Sequence, residues 1–244
     1  MNDRLNVLGV GVNTYTMDEA VDFLVSAMDK DTLTSVYTPN SEIILHAYKN
    51  PDYAEILNRG SLVTPDGIGV VYASKILGRP LKERVSGFDL ACRVLKKAAP
   101  MKKTLYLLGG KPKIAEKAAE NIKKLYPGIN IVGTSNGYFD DQKEKEIIAD
   151  INEKSPDLLF VCLGFPKQEC WIDTHSEISA RVAMAIGGSL DVFAGEVERA
   201  PETFQKLGLE WLYRLIKQPS RFVRMLALPK FGFTVLFYGR KFLK

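Results

Sequence analysis

Apolar positions along residues 1–198 fall into two alternating rhythms: short continuous runs, and stripes spaced three or four apart. The run over 5–12 reads as extended, and 17–28 as an amphipathic helix with Ala20, Val21, Leu24 and Met28 on one stripe. A β-type run at 34–38 leads into helical patterns at 41–48 and 51–58, a brief strand at 61–64, and helices at 67–77 and 88–98. Beyond residue 100 the alternation is regular. Strands at 104–108, 129–134, 158–163 and 182–186 are separated by helices at 112–125, 142–153 and 166–175. Strands joined through helices predict a parallel sheet with right-handed crossovers.

The pattern changes near residues 198–201, and so does the charge. From Arg199 to Lys244 there are ten Lys or Arg against two acids, Glu202 and Glu210, a net of +8. The whole chain carries +4, so residues 1–198 carry −4. The expected architecture is therefore an α/β domain over 1–198, with a Rossmann-like parallel sheet and flanking helices. A short basic α-helical C-terminal appendage over 199–244 would follow. Residues 207–218 read as a helix, and Pro219 and Pro229 should each stop one helix and start another. In a continuous helix Arg214, Lys217, Arg221 and Arg224 would share a face. Cations beside Trp211, Phe222, Phe233 and Phe237 suit an anionic membrane surface. A solvated basic subdomain and a single-strand nucleic-acid binder are the alternatives, and the acidic body disfavours the second.

Composition narrows the picture. At 244 residues and 46% hydrophobic content the chain can bury a full core. Cys92, Cys162 and Cys170 are odd in number and lack close spacing, which predicts reduced thiols and an intracellular setting. The polar start at Met1–Arg4 predicts no signal peptide. The most apolar stretch, 222–238, is interrupted by Arg224, Pro229 and Lys230, so it should lie on a bilayer and not cross it.

In an open parallel sheet, ligands bind beyond the carboxyl ends of the strands. Three strands end in glycine turns there: Gly109-Gly110, Gly164-Phe165-Pro166, and Gly187-Gly188-Ser189. Such turns bring backbone N–H groups close to a phosphate, or simply reverse the chain. Thr38-Pro39-Asn40-Ser41-Glu42 follows the second strand, and Asn40 or Ser41 there can cap a helix. Asp66, in Thr64-Pro65-Asp66-Gly67, can cap the next helix or take a proton from a substrate hydroxyl. Arg84 suits bidentate phosphate binding, or an ion pair with Glu83 or Asp89. Gln168 can hydrogen-bond a sugar, while Lys167 and Glu169 also fit a solvated helix end. No metal site is expected: Asp29-Lys30-Asp31 follows a helix in a polar turn, and His46 and His175 lack partners at ligand spacing.

In order, the chain carries Thr38-Pro39-Asn40-Ser41-Glu42, Pro65-Asp66-Gly67-Ile68-Gly69-Val70, Glu83-Arg84-Val85-Ser86-Gly87-Phe88-Asp89, Gly164-Phe165-Pro166-Lys167-Gln168-Glu169, Gly187-Gly188-Ser189-Leu190-Asp191, Arg199-Ala200-Pro201 and Gly208-Leu209-Glu210-Trp211. This series resembles the WecG/TagA/CpsF glycosyltransferases, most of all their teichoic-acid branch, over nearly the whole length. The resemblance implies an inverting enzyme peripheral on the inner face of the cell membrane. It would move N-acetylmannosamine from UDP to the 4-hydroxyl of N-acetylglucosamine on undecaprenyl diphosphate, with no metal or other cofactor. It implies Asp66 as general base and Arg84 on the departing diphosphate. Thr38, Asn40 and Gln168 would line the sugar site, and Gly187, Gly188 and Asp191 would hold the nucleotide. Arg214, Arg221 and Arg224 would meet the lipid diphosphate or the membrane. Self-association is a further implication, and nucleic acid is not an expected partner. Relatives using N-acetylmannosaminuronic acid or glucose are the alternative within the family; a non-catalytic membrane-docked nucleotide-binding module is the alternative outside it.

Overall fold

The structure, a computed structural model, describes residues 3–219 and 222–243. Its centre is a six-stranded, all-parallel sheet in the order β4-β3-β8-β7-β5-β6. The strands are β3 (Thr34–Tyr37), β4 (Leu62–Val63), β5 (Thr104–Gly109), β6 (Asn130–Ser135), β7 (Leu158–Cys162) and β8 (Val182–Ala185). Both faces are covered, which is why the central strands read as unbroken apolar runs. Leu105, Leu107, Leu158, Phe160, Val182 and Met184 point into one core, under the helices α1 (Met17–Ala27), α5 (Gly87–Ala98) and α6 (Ile114–Leu125). Their alternating neighbours Tyr106, Leu108, Leu159, Val161, Ala183 and Ala185 point into the other. That second core lies under α2 (Ser41–Lys49), α3 (Pro51–Arg59), α4 (Ile68–Ile76), α7 (Asp141–Lys154) and α8 (Lys167–Thr174).

Three local expectations need correction. The stretch at 5–12 is a hairpin, β1 (Arg4–Val7) and β2 (Val10–Asn13), reversed at Leu8-Gly9, where both residues take positive φ. It stands apart from the main sheet. A short helix, α9 (Ser189–Phe193), follows the Gly187-Gly188 turn, where only a loop was expected. In the C-terminal region the helices are α10 (Glu202–Lys206), α11 (Glu210–Lys217), α12 (Phe222–Met225) and α13 (Ala227–Tyr238). Pro229 does not break α13. It stands in the first turn, where N–H groups have no intrahelical acceptor, so a missing donor costs nothing.

The interruption after Lys217 means that Arg214 and Arg224 sit on different helices, α11 and α12, and share no single helix face. Arg221 lies outside the described residues. The basic region also packs back on the body. Helix α13 lies against α2 and α4, and its Phe231 and Val235 are fully buried in the body's core. Phe233 and Phe237, on the opposite side, are exposed.

Candidate active site

Two cavities open side by side at the carboxyl ends of the strands. The larger, about 810 Å³, lies beyond β5, β6 and β7 and is bordered by Lys111, Tyr138, Leu163, Lys167, Gly188 and Asp191. That volume suits a nucleotide-sized ligand. The smaller, about 370 Å³, lies beyond β3, β4 and β8 and holds Thr38, Asn40, Asp66, Arg84 and Gln168. Gly164, Gly187, Gly188 and Asp191 border both, so a ligand in one can present a group to the other.

Asp66 sits where three loops are stitched together. Its backbone N–H donates to Pro39 O at 3.3 Å and Thr64 O at 3.0 Å, and Val85 N–H donates to Pro65 O at 3.1 Å. The Gly87 N–H faces the carboxylate and favours its charged form. The capping alternative fails: the N-cap of α4 is Gly67, with no side-chain cap. Withdrawal from water pushes the Asp66 carboxyl up to about 6; Arg84 and Arg214 pull against that shift, and Glu210 adds to it. A carboxylate that still ionises near neutrality, yet holds a proton well, has the property a general base requires.

Arg84 is engaged by two acids. Its Nη2 donates to Glu210 Oε2 at 2.6 Å and lies 3.5 Å from Asp89 Oδ2. Arg199 completes the cluster, 2.5 Å from Asp89 Oδ1 and 3.5 Å from Glu210 Oε1, with its guanidinium over the Phe88 ring. Two cations and two anions, drawn from the body and the basic region, thus clasp each other beside Asp66. Of the two partners expected for Arg84, Asp89 is present, whereas Glu83 accepts from the Met17 N–H instead. Glu210 carries no site signal in the sequence, because its partner is 126 positions away.

The other expected site residues converge here, but as scaffold more than as free donors. Thr38 donates its hydroxyl to Ala185 O at 3.0 Å, lashing β3 to β8. Asn40 Oδ1 accepts from the N–H groups of Glu42 and Ile43, a helix cap. Gln168 Oε1 accepts from the Gly187 N–H at 3.0 Å, and its Nε2 donates to Glu169 Oε1 at 2.9 Å. Gly187 adopts φ +53°, so Gln168 fixes a turn that a larger residue would strain. Glu169 is buried, not solvated; its burial pushes the carboxyl up, and it faces Tyr53. Arg214 reaches the smaller cavity from α11 and acts electrostatically on Asp66.

Asp29, Asp31, His46 and His175 line neither cavity. Asp29 pairs with Lys103, and Asp31 with Arg181, at the amino ends of the strands, opposite the site. His46 packs between the Tyr53 and Phe165 rings, and His175 against Trp171. Asp140, by contrast, caps α7 and borders the larger cavity.

Comparison with known proteins gives the family. Residues 5–244 match the model of the "Glycosyl transferase WecG/TagA/CpsF family". A protein of Bacillus spizizenii (strain W23) named N-acetylglucosaminyldiphosphoundecaprenol N-acetyl-beta-D-mannosaminyltransferase is 41% identical over 215 residues, covering 87% of this chain and 82% of that protein. Its namesake in Bacillus subtilis (strain 168) is 39% identical, covering 82% and 78%. Another in Staphylococcus aureus (strain MRSA252) is 35% identical over 244 residues, covering 99% and 95%. With a parallel sheet, paired cavities at its carboxyl edge and a match along almost its whole length, the chain belongs to the WecG/TagA/CpsF family of glycosyltransferases.

Proposed function

We propose that this chain transfers N-acetylmannosamine from UDP to the 4-hydroxyl of N-acetylglucosamine on undecaprenyl diphosphate, with inversion to a β-1,4 bond. The names of the relatives support that donor sugar and acceptor. The observation that carries the mechanism is the placement of Asp66, in the lining of a cavity that adjoins a nucleotide-sized groove. UDP lies in the larger cavity, between the Tyr138 side and Asp191, and directs its sugar across the Gly187-Gly188 turn. The acceptor sugar enters the smaller cavity and gives its 4-hydroxyl proton to Asp66 as the oxygen attacks the anomeric carbon. The bond to UDP breaks on the opposite face, and the departing diphosphate gathers charge. Arg84 answers that charge, exchanging Glu210 for phosphate oxygens. No metal takes part in this reading.

Product analysis tests it. Incubation with the α-linked UDP-sugar should give a disaccharide whose anomeric proton signal is that of a β-linked N-acetylmannosamine at position 4. An α-linked product would contradict direct attack assisted by a single base.

The enzyme works on the inner face of the membrane, where its lipid-linked acceptor resides. Phe233 and Phe237 are exposed on α13, near Lys230, Arg240 and Lys241. Among the described residues no helix is long and apolar enough to cross a bilayer. Each cation near an anionic surface contributes about 1 kcal/mol, and the aromatic rings add apolar burial. Removing the whole basic region would strip Phe231 and Val235 from the core, so surface substitution is the cleaner test. The Phe233→Ser/Phe237→Ser double variant should keep its melting temperature and lose most of its binding to anionic vesicles. Undiminished binding at physiological salt would contradict this surface.

A further inference from the structure

The smaller cavity has a charged side and an apolar side. Asp66, Arg84 and Arg214 lie at one side, while Ile68, Met225 and Leu228 line another. From that apolar side two helices run outward together. A Cβ placed on Gly69 would stand 3.7 Å from Leu228 Cδ2, near the start of both α4 and α13. One on Gly239 would meet Leu77 Cδ2 at 2.8 Å, at the end of both. The two helices are therefore parallel. Gly69 is needed for their approach to the body, since a Cβ there would also lie 2.2 Å from Ser41 Oγ.

On α4, Ile68, Tyr72 and Ile76 recur every fourth residue and form one stripe about 12 Å long. The stripe starts in the cavity and emerges onto the surface, with Tyr72 55% and Ile76 40% exposed. On α13, Leu228, Gly232 and Leu236 repeat the same spacing from the same side of the cavity. Leu236 is 57% exposed, and open space lies where a Gly232 side chain would stand. Solvent-facing apolar stripes that begin inside a charged pocket are costly unless something apolar covers them.

We infer that the α4–α13 surface is a lane for an isoprenoid chain, which enters the smaller cavity diphosphate first and leaves along Ile68, Tyr72 and Ile76 opposite Leu228 and Leu236. Cations at the inner end and hydrocarbon at the outer end match the two halves of a prenyl diphosphate. The inference deepens the proposed acceptor site and rests on that reading for the sugar only. The lane delivers the chain to the exposed Phe233 and Phe237, so the lipid is drawn part-way from the membrane and not fully extracted.

Titration calorimetry in vesicle-free buffer tests it, using prenyl diphosphates of five, ten and fifteen carbons with inorganic diphosphate as the reference. Affinity should rise with each isoprene, by about tenfold or more from the shortest to the longest, since each buried methylene adds to binding. Gly232→Gln places a polar group in open space, and Tyr72→Ser alters an exposed residue, so both variants should fold. In each, the ratio between longest and shortest should fall below about threefold, with inorganic diphosphate unaffected. Equal affinity for all three chains in the wild type would overturn the lane. So would an unchanged ratio in both variants, including the case where they lose only their hold on vesicles, which would make this face a bilayer contact. Chain-length dependence without any sugar transfer would leave the lane standing and remove the glycosyl-transfer reading instead.

Discussion

Replacing Asp66 with Asn is expected to lower the rate of sugar transfer by at least about a thousandfold while leaving UDP affinity within about twofold. Asn keeps the shape of the side chain, and the loops around it are joined by backbone hydrogen bonds that the change leaves in place, so they should hold. What it loses is the ability to take the hydroxyl proton. The native enzyme should show the same dependence through pH. Its kcat/KM should fall tenfold per unit below an apparent pKa near 6, because the base must be ionised and burial pushes it up to about 6. Stability moves the other way. Between about pH 4 and pH 6 the folded chain keeps a proton that the unfolded chain has released, so folding weakens as pH rises through that window. Asp66→Asn removes this penalty, and its melting temperature at pH 7.5 should equal or exceed that of the parent. Near-normal turnover in the variant would remove Asp66 as base; a collapsed melting temperature would show that the carboxylate serves the fold instead.

Arg84→Ala is expected to reduce kcat by about a hundred- to a thousandfold, the usual effect of deleting one donor aimed at a developing anion. Here the loss has a second part. Glu210 and Asp89 would face each other with Arg199 as their remaining cation, among the described residues, within ion-pair reach, so the contact between body and basic region weakens. Half-buried acids deprived of a partner cost more than exposed ones. Arg84→Lys separates the two parts. A lysine keeps the charge that balances Glu210 but lacks the planar fork that can hold an acid and a phosphate oxygen together. It should restore most of the melting temperature and little of the rate. Full recovery of rate by Lys would mean that Arg84 acts as a counter-ion only.

Much of the fold was legible because it depends on local pattern. Residues 105–108, 158–163 and 182–186 are apolar without interruption since both sheet faces are covered, and each falls on an observed strand. The elements that went astray depend on context. Pro229 reads as a break unless its place in the first turn is known, and the run over 5–12 becomes a hairpin because Leu8 and Gly9 both take positive φ, a reversal that an apolar run does not announce. The site was legible in outline, since Thr38, Asn40, Asp66, Arg84 and Gln168 all reach one cavity. Its wiring was not. Glu210 meets Arg84 across 126 positions, and Gln168 meets Gly187 across 19, and no spacing rule connects such pairs. Glu169 reads as a solvated helix end because its neighbour Lys167 is one; a single helix start carries both an exposed and a buried charge.

The central claim, metal-independent transfer that depends on a lipid-linked acceptor, is tested most directly by UDP release from UDP-N-acetylmannosamine in EDTA. The acceptor would be a short-chain N-acetylglucosamine diphospholipid, present in one arm and absent from the other. Release should be brisk with acceptor and near background without it, and magnesium should not change either rate. Release that needs magnesium would contradict the metal-free mechanism, and release indifferent to acceptor, or absent with and without metal, would contradict the proposed reaction itself.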